Sequence, residues 1–196
     1  MLFRSRRLAA LGVAIPDEVL STSDPLEVFR AIAARGRDVG QRAQRELTLL
    51  EVQAVTTAQP AVGGTELISA ARQSGRSVAI VSNNSGQAVA TYLKRHGLTR
   101  YVSAVIGRDD PDPAHMKPSP YRLRQAIEML RAAPAECVLV GDSISDVVAA
   151  HSANLAAIGY ADKPGKDERL AEAGADAVIM RLADLIEVIT AEAVRA

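Results

Sequence analysis

Five short apolar runs, each followed by a helix-like segment, constrain the fold of this chain more than any other feature. SVAIVS (77–82), YVSAVIG (101–107), CVLVGD (137–142), LAAIGY (155–160) and DAVIM (176–180) place apolar residues side by side rather than at alternate positions. A strand of that kind is covered on both faces. Between the runs, TELISAARQSG, GQAVATYLKRHG, PYRLRQAIEMLRAA, SDVVAAHSAN and KDERLAEAG show helical spacing, and several close on Gly. The alternation predicts an α/β fold: a parallel sheet with helices on both faces. Ligands of such sheets bind beyond the carboxyl ends of the strands.

The first part of the chain reads differently. DPLEVFRAIAARGRDVGQRAQRELTLLEVQAVTT (24–57) opens with an Asp cap and a Pro at the first helical position, keeps helical spacing, and holds no strand pattern. The boundary is expected near Pro60, with a helical region over 1–60 and an α/β core over 61–196. At 196 residues and 48% hydrophobic, the chain suffices for one sizeable core plus a small subdomain. Basic and acidic residues balance at 23 each, which argues against a nucleic-acid or anionic-membrane partner and leaves a small molecule. No apolar stretch reaches the roughly 20 residues that cross a bilayer. Cys137 is the single cysteine and lies in an apolar run, so no disulfide or thiolate metal site can form, and a reducing cytoplasm fits best.

Three polar sets follow expected strand ends. In VSNNSG, Ser82 and Asn83 come after AIV, just before a helix expected near Gly86. A hydroxyl and free backbone N–H groups there can hold a phosphate, or the pair can simply cap the helix. In HMKPSPY, Lys117, one of four lysines, precedes Pro118 and Pro120. The prolines would present it on a rigid turn; a solvated surface Lys is the alternative. In GDSISD, Asp142 stands at a strand end with Asp146 one helical turn on. The two can share a divalent cation or its water, or Asp142 can cap the helix.

The order and spacing of VSNN, KPSP and VGDSISD resemble the haloacid dehalogenase-like hydrolases, in particular their phosphoglycolate phosphatase-like group. The resemblance covers roughly residues 63–183, with Asn154 where Gly is usual. It implies a Rossmann-like core and a helical cap, the latter matching 1–60. It further implies that Ser82, Asn83 and Lys117 bind phosphate, with Ser82 and Lys117 catalytic, and that Asp142 and Asp146 hold Mg²⁺. The implied reaction is hydrolysis of a small phosphorylated metabolite through an aspartyl-phosphate. Lys and Mg²⁺ would offset charge between two anions. No obligate protein partner is evident. A non-catalytic phosphate- or Mg²⁺-binding protein is the alternative reading.

One expected part is missing. The family's nucleophile is the first Asp of a DxDGT-like motif on the first strand, and none of Asp17, in AIPDEV after a Pro, Asp24, opening a helix as its cap, and Asp38, in the polar run ARGRDVG, is expected to follow a buried strand. Arg4 would stand in its place after MLF, and a guanidinium cannot attack phosphorus. Retention of Ser82, Lys117, Asp142 and Asp146 favours a truncated active enzyme over a natural inactive relative. The lost strand would sit between those ending at Ser82 and Asp142, so the polypeptide is expected to be inactive, and poorly soluble or partly molten. His96 is expected to close a helix, His115 to be a solvated loop residue, and His151 to pack or be exposed. Asp109, Asp110 and Asp112 read as a turn. Lys163 and Lys166 are candidates to brush an anion, and Arg35 and Arg37 to face substrate.

Overall fold

The computed structural model describes residues 19, 22 and 24–193. The sequence readings at Arg4 and Asp17 lie outside these residues. Helices α1 (Pro25–Ala33) and α2 (Arg37–Val55) come first. Asp24 caps α1 by accepting from the Leu26 amide at 2.9 Å, with Pro25 in the first turn. Val28, Phe29 and Ile32 of α1 and Ala43 and Leu47 of α2 are fully buried against one another. Each larger side chain among them contributes roughly 1.5–3 kcal/mol relative to exposure. Met116, 2% exposed, completes this cluster from the segment just before Lys117, which is how helix packing positions a candidate site residue.

The chain then alternates. It runs through α3 (Gly64–Gln73), β1 (Ala79–Val81), α4 (Gly86–Arg95), β2 (Ala104–Ile106) and α5 (Tyr121–Leu130). There follow β3 (Val138–Gly141), α6 (Ile144–Ser152), β4 (Ala156–Tyr160), α7 (Lys166–Glu172), β5 (Ala177–Ile179) and α8 (Leu182–Ala193). All five apolar runs hold a strand, each shorter than the run that contains it. Helix α8, whose apolar residues include Leu182, Leu185, Ile186 and Ile189, was not among the helices expected from the sequence.

Among the described residues all strand pairs are parallel, and the strands fall into two groups. β1 pairs with β2, aligning Ile80 with Val105, and the second group has the order β3-β4-β5, aligning Val140 with Ile158 and Gly159 with Val178. The main core lies around β4, where Leu123, Val147, Ala150, Leu155, Ala157 and Leu170 are buried between the strand and α5, α6 and α7. Cys137 packs at its edge, partly buried, and burial pushes its thiol pKa up. β3 departs from the expectation of strands covered on both faces: Val138 is 52% and Val140 38% exposed. Among the described residues no helix is long and apolar enough to cross a membrane.

Candidate active site

Ser82, Lys117, Asp142 and Asp146 line one cavity at the carboxyl ends of β1 and β3. Ser82 extends β1, its amide donating to the Ile106 carbonyl at 3.0 Å, while its hydroxyl accepts from the Asn84 amide at 3.1 Å. Neither Ser82 nor Asn83 caps the next helix. That role falls to Ser85, whose hydroxyl accepts from the Ala88 amide and whose own amide donates to Glu51 at 2.8 Å.

Asn83 is committed to Lys117. Its Oδ1 accepts from the Lys117 amide at 2.8 Å and its Nδ2 donates to the Lys117 carbonyl at 3.2 Å. Arg30 of α1 donates to the same carbonyl at 3.2 Å. With Met116 buried before it, the Lys117 backbone is held by the helical cluster as well as by Asn83 and Arg30. Bonds from Asn83 and Arg30 thus hold the Lys117 backbone, where the sequence reading pointed to the prolines alone. The ammonium, on a side chain only 12% exposed, donates to the Val81 carbonyl at 3.2 Å and to Asp146 Oδ1 at 2.5 Å. It is not a solvated surface lysine.

Asp146 and Asp142 have different surroundings. Asp146 occupies the third position of a capping box with Ser143: its Oδ2 accepts from the Ser143 amide at 3.1 Å and hydroxyl at 2.6 Å, and its own amide donates to the Ser143 hydroxyl. Ser143, not Asp142, caps α6. The approach is so close that a Cβ on Gly141 would fall 2.4 Å from that of Asp146, so the backbone there has room only for Gly. Asp142, 60% exposed, accepts from Lys166 at 2.7 Å, and the same ammonium donates to Asp162 at 2.6 Å. Burial opposes the Lys166 charge, but its bonds to Asp142 and Asp162 outweigh that and raise its pKa. The bond from Lys166 holds the Asp162 carboxyl below its usual range.

Lys166 thus meets carboxylates rather than the anion it was expected to brush. Asp162 was missed, though it lies just past the end of β4, where site residues of such sheets collect. Two exposed carboxylates sharing one cation position suit Mg²⁺, which takes one or two carboxylates and keeps several waters. No group of three or more His, Cys, Asp or Glu that could hold a metal ion occurs among the described residues.

The remaining candidates lie elsewhere. His115 stacks on Tyr121 with centroids 3.7 Å apart and meets Asp110 at 3.1 Å. Asp110 also holds Arg122, Asp112 caps a turn at Ala114, and Asp109 accepts from the Gly86 amide, so the three acids form the expected turn. His96 ends α4 and contacts the Ala58 carbonyl, His151 pairs with Asp176, and Arg35 and Arg37 are exposed beside the α1–α2 turn. Arg108 was not among the residues expected at the site. It is fully buried, pairs with Glu51 of α2 at 2.7 Å, lies over the Phe29 ring at 4.5 Å, bonds Gln44, and donates from Nε to the Asn83 carbonyl at 3.0 Å. Burial lowers its pKa, and Glu51 opposes that shift.

A parallel α/β core with a hydroxyl, an ammonium and carboxylates gathered at the ends of its strands, and a helical pair fastened to the ammonium-bearing segment, defines the class of this protein. Within that class, the chain belongs to the haloacid dehalogenase-like hydrolases, whose family model matches residues 16–154. It is 32% identical over 129 residues to a phosphoglycolate phosphatase of Vibrio vulnificus, a match covering 65% of this chain and 55% of that protein. The chain thus spans about half the length of that relative. A pyrophosphatase, PpaX, of Listeria monocytogenes is 27% identical over 186 residues, covering 91% of this chain and 84% of its own. Among solved structures, CbbY of Rhodobacter sphaeroides in complex with phosphate shares the fold at a TM-score of 0.64 and 22% identity, with 93% of this chain and 89% of that chain covered.

Proposed function

We propose that the site serves Mg²⁺-dependent hydrolysis of a phosphomonoester on a small metabolite, and that this chain by itself binds phosphate without turning it over. The observation that carries the reading is the gathering of Ser82, Lys117, Asp142 and Asp146 on one cavity at the strand ends. Ser82 donates its hydroxyl to a phosphoryl oxygen. Lys117 neutralises phosphate charge from a fixed backbone, and Asn83 acts by fixing it. Asp142 holds Mg²⁺, with Asp162 and Asp146 supporting the ion or its waters once Lys166 turns aside. The ion, when bound, offsets negative charge between phosphate and an attacking carboxylate. Helices α1 and α2, within the region 1–60, act as the cap that selects substrate over the core of 61–196.

The absence of turnover rests on the rim carboxylates. Among the described residues, Asp142, Asp146 and Asp162 are each bonded to an ammonium, and no further Asp stands opposite Ser82 to attack phosphorus and form an aspartyl-phosphate. The same observation favours the second reading, a protein that binds phosphate and Mg²⁺ as its function. Calorimetric titration with inorganic phosphate, with and without Mg²⁺, is expected to show binding that Mg²⁺ strengthens and Lys117→Met abolishes. Hydrolysis of p-nitrophenyl phosphate should stay at background. Phosphate binding that ignores Lys117→Met refutes the site; turnover above background refutes the inactive state.

A further inference from the structure

Beyond Ile106 the chain runs on beside the turn that follows β1, and the two backbones touch there: a Cβ on Gly107 would run into the backbone of Gly86. The Ser82 amide donates to the Ile106 carbonyl at 3.0 Å and the Arg108 amide to the Asn84 carbonyl at 2.8 Å, so the pairing of β1 with β2 extends along the turn. From that position the Arg108 side chain reaches the turn a second time, its Nε donating to the Asn83 carbonyl at 3.0 Å. One residue therefore holds two successive carbonyls of the segment that bears Asn83.

The rest of the guanidinium belongs to α2. One terminal nitrogen bonds Gln44, and the other donates to Glu51 Oε1 at 2.7 Å, while Glu51 Oε2 accepts from the Ser85 amide at 2.8 Å. Gln44 in turn donates to the Arg108 carbonyl. Arg108 is fully buried and Glu51 is 5% exposed.

A buried ion pair adds little stability over a well-packed apolar pair of the same volume, so adhesion of α2 to the core does not by itself call for these two charges. What an apolar pair lacks is direction. A planar guanidinium with donors at fixed angles, clamped by Glu51 and Gln44, aims Nε at one carbonyl. That carbonyl is the one of Asn83, whose side chain grips both the amide and the carbonyl of Lys117.

From this we infer that Arg108 is a positioning residue of the phosphate site: clamped by Glu51 and Gln44 of α2, its guanidinium fixes Asn83, and Asn83 fixes Lys117. The inference rests on the phosphate-binding reading of the site and adds to it a residue that acts only through its neighbours.

The test titrates inorganic phosphate by calorimetry into the whole 196-residue chain and its variants, with thermal unfolding recorded on the same samples. Arg108→Lys keeps a cation for Glu51 but loses the fork that reaches Asn83 at the same time; phosphate binding should weaken by about tenfold or more, the worth of one charge-assisted hydrogen bond. In a chain carrying Asn83→Ala the grip on Lys117 is already gone, and Arg108→Lys should there cost less than about threefold. Arg108→Met combined with Glu51→Leu removes both charges: the unfolding temperature should recover relative to either single variant while phosphate binding stays weak. Arg108→Lys binding within about threefold of the parent, or equal losses with and without Asn83→Ala, overturns the inference. So does an affinity that returns together with stability in the double variant, which is the result of a merely structural role. A parent chain that binds no phosphate, or binds it regardless of Lys117→Met, refutes the site and the inference with it; binding that needs Lys117 but ignores Arg108→Lys refutes the inference alone.

Discussion

Replacing Arg108 by methionine tests how the helical pair is fastened to the segment that bears Asn83. Arg108→Met keeps an unbranched side chain of similar length over Phe29 but removes the partner of Glu51, which is 5% exposed, and the donor to the Asn83 carbonyl. Breaking a buried ion pair from one side costs about 3–5 kcal/mol, because the other charge stays buried without compensation. Glu51→Leu strands the guanidinium and should cost a similar amount. Independent effects would add to about 6–10 kcal/mol, a large part of a typical stability of about 5–15 kcal/mol. The double variant removes both charges and leaves chiefly the Ser85 amide, 1% exposed, without its acceptor, at about 1–3 kcal/mol. A coupling of several kcal/mol is therefore expected from urea unfolding of the four proteins followed by far-ultraviolet circular dichroism, with matched m-values. Additivity within about 0.5 kcal/mol would refute the argument that these charges depend on each other.

Two further predictions follow from close contacts. Gly141→Ala drives a methyl into Asp146 and should destabilise by about 1–3 kcal/mol while weakening phosphate binding, read by thermal unfolding and titration calorimetry. The Asp176 carboxyl is held below its usual range, first by the Ala157 amide at 2.8 Å and then by His151. A depressed folded pKa contributes stability above the ordinary carboxylate range that is lost as pH falls through the folded value. Asp176→Asn should flatten the acid limb of a stability-versus-pH curve below that range and leave the profile near neutrality unchanged in shape.

The α/β alternation was legible because strand and helix periods differ and each apolar run is short. Ser82, Asp142 and Asp146 could be picked out because they follow such runs, and Lys117 because Pro118 and Pro120 come after it; folding brings the four to one cavity. Their partners were harder to see. GDSISD contains the pattern S-x-x-D, which marks Ser143 as the cap, but the two Asp residues drew the metal reading instead. Asn83 reads as a phosphate ligand from its neighbours in sequence; that it grips Lys117 depends on a contact across 34 positions. The Arg108–Glu51 pair spans 57 positions, and neither residue differs locally from a solvated charge. The division of the strands into two groups likewise depends on which edges meet, which periodicity does not encode.

The seating of Met116 couples the helical pair to Lys117. Lys117 is its immediate neighbour, so a tilt of α1 against α2 reaches the ammonium through a single peptide link, reinforced by the Arg30 bond to the Lys117 carbonyl. Under the proposed function, a molecule that leans on the helices would thereby shift the ammonium that meets its phosphate, so that recognition of the distant end and grip on the near end would behave as one mechanical event.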